Sequence, residues 1–174
     1  MSILNDILKT NAGSIFRTRR NHALEHATLH ILARKIPNLR MAGHSTHSGF
    51  RLIGDIPIET IAEAVQEAQR RLKAGEHRLA VHPFCGTNFV TSGTLAGLAG
   101  ASAMAGMRKD RKDLLERLVM AVTLSTFALM LSQPLALYLQ REITTCADLG
   151  SLHVTVIHRS ENGSLIVHHV ITQD

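Results

Sequence analysis

Two stretches of the chain carry no charged side chain, residues 89–107 (FVTSGTLAGLAGASAMAGM) and 118–140 (LVMAVTLSTFALMLSQPLALYLQ). Each reaches the length at which a helix crosses the hydrocarbon core of a bilayer. Between them lies RKDRKDLLER, a short, highly charged turn. The pattern predicts a two-span transmembrane hairpin over residues 89–140, with Pro134 as a kink site in the second span. Gly93 and Gly97 form a Gly-xxx-Gly pair in a glycine- and alanine-rich first span, which suits close approach by the second span or by a second subunit in a homo-oligomer.

The flanking segments alternate differently. Residues 15–35 read as a helix stopped by Pro37 and Asn38, with Arg34 and Lys35 where cations suit the helix dipole. Its centre is apolar nearly all round, which pushes the polar groups there toward burial. RMAGHSTHSGFRLIGDI, with glycines at 43, 49 and 54, reads as one bent strand or a hairpin. PIETIAEAVQEAQRRLKAG is an amphipathic helix with Ile58, Ile61, Ala62, Val65, Ala68 and Leu72 on one face and Gly75 as its stop. HRLAVHP is predicted as a short strand, giving a β-α-β unit that leads into the first span. LHVTVIHRSENGSLIVHHVITQ is a β-hairpin around Asn162 and Gly163, and it needs further strands to be stable.

The predicted fold is therefore α+β: a small sheet-and-helix domain interrupted by a two-helix transmembrane hairpin. Residues 1–88 supply the first helix and the β-α-β part, 89–140 the hairpin, and 141–174 the strands that complete the sheet.

Composition sharpens this picture. Hydrophobic residues are 45% of the chain but aromatic ones only 3%, and tryptophan is absent. The net charge of +5 comes from scattered basic residues with no aromatic stacking platform, which argues against nucleic acid and toward the headgroups of a lipid bilayer. The N-terminus lacks a continuous apolar core followed by a small-residue cleavage site, so no secretory signal is expected. Two cysteines are too few for a disulfide framework and fit a reducing compartment. The five Lys/Arg of residues 108–117 favour the cytoplasm for that turn, but placing it there would export the N-terminal domain. The reading is a bacterial inner-membrane protein whose soluble domain faces the cytoplasm.

The candidate chemistry lies in NHALEHATLH. His22, Glu25 and His26 spell H-x-x-E-H; on a helix His22 and His26 share a face and can bind one metal ion, and Glu25 flanks them as a general base for a metal-bound water. The competing reading has the histidines bonded to backbone and Glu25 paired with Arg19 or Arg20. The arrangement resembles the H-x-x-E-H of the inverzincin metallopeptidases, which implies zinc, a peptide or protein substrate and a distant glutamate as third ligand. Glu59, Glu63 and Glu67 lie on a surface-looking face, so the third ligand is sought in AVHPFCGTN, at His82 or Cys85, with Asn88 or Thr87 as oxyanion donors. His30 continues the histidine row as a ligand or support, and His44, His47, His168 and His169 are lesser candidates, the last two on opposite sheet faces.

NHALEHAT, then GF-x-L-x-G, then RL-x-x-GE-x-x-LAVHP-x-CGTN is similar to an uncharacterised family of bacterial membrane proteins, over roughly the first 100 residues. That resemblance implies a membrane protein. The expectation is a membrane-anchored zinc-dependent hydrolase, a peptidase by the motif; the alternative is a non-enzymatic membrane-complex subunit or assembly factor whose histidines are structural or bind haem or copper.

Overall fold

The computed structural model describes residues 2–106, 110–163 and 165–174. Residues 107–109, where the first uncharged stretch ends and the charged turn begins, and Ser164 of the predicted hairpin turn lie outside them. The chain divides into two compact units, one built from Met1–His82 and Arg141–Asp174, the other from Pro83–Gln140.

The first unit is α+β. Helix α1 (Ser2–Lys35) is followed by strands β1 (Ala42–Thr46) and β2 (Gly49–Ile53), helix α2 (Ile58–Lys73), a short 3-10 turn (His77–Ala80), and, after the second unit, β3 (His153–Asn162) and β4 (Leu165–Gln173). The four strands form one antiparallel sheet in the order β1-β2-β4-β3. The C-terminal hairpin therefore completes the sheet begun before the interruption, as its marginal stability alone requires. Gly163 takes φ 61°, the left-handed conformation that an Asn-Gly turn needs.

Alternation along β2 and β4 sends Phe50, Leu52 and Val170 to one face, where they meet Ala23, Leu24, Ala27, Ile31 and Leu32 of α1. Ile61, Ala64, Val65, Ala68 and Leu72 of α2 extend the same core. Each fully enclosed leucine here contributes about 2 kcal/mol. Asn21 locks α1 to the sheet: its amide donates to the carbonyls of Thr46 (2.9 Å) and His47 (3.3 Å) and accepts from Thr172 Oγ1 (2.7 Å).

Two expectations for this unit fail. Residues 77–83 form no strand; Leu79 and Ala80 are adjacent and both buried, which a half-buried alternating strand cannot achieve and a 3-10 turn can. The predicted β-α-β unit is thus a β-hairpin, a helix and a turn. Helix α1 also begins well before residue 15.

The second unit pairs α3 (Gly86–Met104) with α4 (Arg111–Leu139), whose last turn passes into a π-turn at Gln140–Thr144. Among the described residues one helix, Arg111–Thr144, is long and apolar enough to cross a membrane. The helical hairpin is present as the pair α3 and α4, but α3 does not reach the same apolarity: it has 19 residues, and its threonines, serines, glycines and Asn88 dilute its hydropathy. The helices are joined through polar atoms, Ser132 Oγ donating to Ser92 Oγ at 2.6 Å and Ser125 Oγ to the Ala96 carbonyl at 2.9 Å. The close approach falls at Gly100, where a Cβ would lie 2.8 Å from Ser125 Oγ, whereas a Cβ on Gly93 or Gly97 would meet nothing within 4 Å.

Candidate metal centre

From Asn21 to Leu29 every residue of α1 except His22 is buried, because the sheet covers one side of the helix and the chain after α2 runs along another. His22, His26 and His30 are spaced four apart and so form a single row on α1. The rings of His22 and His26 lie with centroids 4.2 Å apart, and His82 approaches His26 at 5.6 Å and His30 at 4.8 Å.

Backbone carbonyls fix how these rings are protonated. His22 Nδ1 donates to the Thr144 carbonyl at 3.0 Å, and His26 Nδ1 donates to the Ala80 carbonyl at 2.7 Å. A carbonyl only accepts, so the proton sits on Nδ1 in both rings and Nε2 carries the lone pair. Metal-binding histidines are oriented by this same kind of bond on the distal nitrogen. His30 is bound the other way round, Nε2 donating to the Val81 carbonyl at 2.8 Å, which leaves Nδ1 as its lone-pair nitrogen.

Electrostatics keep His26 and His82 neutral. Burial pushes His26 down to about 3, with His22 adding to the effect, the Ala80 bond opposing it, and His82 and His30 adding further. Burial and then the nearby His30 push His82 down to about 4. Neutral imidazole is the ligating form.

His22, His26, His30 and His82 all belong to the first unit, whereas Cys85, separated from His82 by Pro83 and Phe84 in the sequence, belongs to the second. Neither Cys85 nor Cys146 is in a disulfide, and Cys85 is buried.

Glu25 is 4% exposed and turns toward β1, where Ser45 Oγ donates to its Oε2 in a short hydrogen bond and Gly43 lies so close that a Cβ there would overlap the carboxylate. Burial raises its pKa above the ordinary carboxylate value, against the opposing pull of the Ser45 bond, His22 and His44. Arg19 and Arg20, the partners offered by the competing reading, are engaged elsewhere: Arg19 with the Glu142 and Thr145 carbonyls and Arg20 with Asp174. Asn88 is buried in the second unit, donating to the Pro83 carbonyl at 2.9 Å and accepting from Gln140 Nε2 at 3.2 Å. His168 and His169 take opposite sheet faces, His168 fully buried with Nε2 donating to the Gly54 carbonyl at 3.2 Å. The acceptors that orient the rings, the carbonyls of Ala80 and Thr144, carry no side-chain signal; of the missed groups only Ser45 and Gly43, inside AGHSTHSG, had a readable one.

Residues 17–157 match the family model described as "Domain of unknown function (DUF6391)", and the chain belongs to that family. It is 38% identical over 142 residues, covering 76% of this chain and 67% of the other, to an uncharacterised protein of the cyanobacterium Picosynechococcus sp.. No solved structure matches it.

Proposed function

We propose that this chain is a membrane-anchored, zinc-dependent hydrolase acting on peptide bonds, with His22 and His26 as protein ligands, His82 or Cys85 as the third, and Glu25 as the general base. The observation that carries the reading is the pair of carbonyl bonds to Nδ1 of His22 and His26, which presents both Nε2 lone pairs from one helix face. Three protein ligands would leave the fourth position of tetrahedral zinc open, the arrangement of catalytic sites, and zinc held there would supply a water acidified toward neutral pH. Glu25 precedes His26 and flanks the ligand row, and burial raises its pKa above the ordinary carboxylate value, the direction that favours a general base. The exposed apolar surface of α4, with Val119 68% and Leu131 72% exposed, supports anchorage in a bilayer. The two cysteines, neither of them in a disulfide, are in keeping with a cytoplasmic soluble unit.

A second reading is favoured by the Glu25 contacts with Ser45 and Gly43: the carboxylate braces α1 against β1, and the metal centre is structural, in a non-enzymatic membrane-complex subunit. Metal analysis of the detergent-purified full chain, with casein as a hydrolysis probe, separates them. The first reading requires about one equivalent of zinc, lost in a His22→Ala/His26→Ala variant, and a Glu25→Gln variant that keeps zinc and loses hydrolysis. Zinc-loaded protein without hydrolysis selects the second; folded wild type that takes up no metal overturns both.

A further inference from the structure

The sheet has two faces, and only one is used by the core. Strand register places His44 opposite Arg51, Arg51 opposite His169, and His169 opposite His158, so one residue from each of the four strands forms a continuous row on the face away from α1. His44, Arg51 and His158 are exposed. The rings of His158 and His169 stack at 4.6 Å with an interplanar angle of 2°, and Ser160 Oγ lies 2.9 Å from His169 Nε2. Beside Arg51 and His169 the surface is concave, lined also by Thr46, Ser48 and Gly49.

The rest of that face follows from the same register. The flanking rows are Ala42, Ile53, Val167 and Ser160 on one side and Thr46, Gly49, Ile171 and Val156 on the other. Among the described residues the three rows contain no aspartate or glutamate and no phenylalanine, tyrosine or tryptophan. Arg51 is a fixed cation at the centre of that face, and among the described residues the three rows supply no carboxylate to pair with it. Nucleic acid would call for aromatic platforms, which the rows lack. Aliphatic side chains such as Val156, 51% exposed, set beside the Arg51 guanidinium and the row's imidazoles suit the interface of an anionic bilayer.

We propose that the outer face of the sheet, centred on His44, Arg51, His169 and His158, docks onto an anionic lipid surface, the depression beside Arg51 and His169 receiving a headgroup phosphate. Docking strengthens as pH falls, because His169 gains a positive charge beside Arg51 when it protonates. His169 is held below the ordinary histidine value by partial burial and then by His158, Arg51 and His168; anionic lipid relieves the repulsion from those neighbours. The helices with direct packing against these strands contact the opposite face, so Arg51, His44, His158 and His169 are the titratable and charged groups of the row itself, with Asp55, Glu161 and Arg159 near its margin. The proposal rests on α4 being a membrane anchor and is independent of the metal centre.

The test is a histidine-modification footprint. The full chain is incorporated into nanodiscs of phosphatidylcholine alone or with about one-third phosphatidylglycerol, and diethyl pyrocarbonate labelling is read residue by residue by mass spectrometry. Incorporation reports on the anchor separately. With anionic lipid, labelling of His44, His158 and His169 slows about fivefold, while His77, exposed on the 3-10 turn, is unchanged. Salt at about 1 M removes the protection, and Arg51→Gln weakens it. Equal labelling in both lipids, protection shared by His77, protection in phosphatidylcholine that grows with protein concentration, or protection conferred by added RNA instead of anionic lipid would each overturn the proposal.

Discussion

His26 donates its Nδ1 proton to the carbonyl of Ala80 across 2.7 Å, tying the middle of α1 to the residue that ends the 3-10 turn. The bond does two things. It pins residues 80–82 alongside the histidine row, with His30 and the Val81 carbonyl as a second fastening. It also settles which nitrogen of His26 can accept a metal, and it thereby makes the ligand set of the proposed site specific enough to test.

Cobalt substitution identifies the third ligand. With Cys85 bound, the cobalt protein shows a near-ultraviolet sulfur-to-metal charge-transfer band, and Cys85→Ser abolishes it while His82→Ala leaves it in place. Loss of one ligand lowers metal affinity by a factor on the order of 100 or more. A cobalt protein that binds tightly without the band would move the third position from Cys85 to His82.

Glu25 and Gly43 are coupled by contact. A Cβ at residue 43 overlaps the carboxylate, so Gly43→Ala lowers stability by about 1–3 kcal/mol, the usual penalty for overpacking. In a Glu25→Ala background the same change costs much less, because the atoms it strikes are gone. A thermal-unfolding double-mutant cycle on the detergent-solubilised chain reads the difference, and additive effects would deny the contact.

The sequence announced the parts whose physics is local. Helix α2 was legible because Ile61, Val65, Ala68 and Leu72 recur at helical spacing, and the last hairpin because two alternating runs meet at Asn162 and Gly163. The H-x-x-E-H row was legible as a helix face, but its tautomers were not, since they depend on the carbonyls of residues 54 and 122 positions away in sequence. The strand expected at residues 77–83 failed because a short apolar run looks alike in a strand and in a buried turn. The hairpin was legible from the two uncharged stretches, but absence of charge in α3 does not by itself give the hydropathy that α4 reaches.

In the helical pair, the motif and the packing disagree about which glycine matters. Gly100→Leu drives a side chain into Ser125, whose hydroxyl is already bonded to the Ala96 carbonyl, and should cost about 1–3 kcal/mol. Gly93→Leu enters open space and should change stability by no more than about 0.5 kcal/mol. Melting of the two variants in the same detergent ranks them, and a larger loss for Gly93→Leu would return the contact to the Gly-xxx-Gly pair.

His168 gives the core a dependence on pH that is separate from the metal ligands. It is fully buried between Leu52 and Arg159, its Nε2 proton goes to the Gly54 carbonyl, and its buried Nδ1 has no hydrogen-bond partner, so protonation there would create an unsatisfied charged donor. Burial holds its pKa below the usual histidine value; the Gly54 bond raises it, Arg159 lowers it, and Asp55 raises it. The unfolded chain accordingly binds more protons than the folded chain as pH drops below about 6.5. Stability is fully present above that value and falls as pH descends toward the folded-state pKa, with a slope from this one group of no more than about 1.4 kcal/mol per pH unit. His26 and His82 push in the same direction, so the wild-type trend alone does not isolate His168. The comparison does: between pH 7.5 and 5 the melting temperature of a His168→Leu variant should fall less steeply than that of wild type, and parallel curves would show that this histidine titrates alike in the folded and unfolded chain.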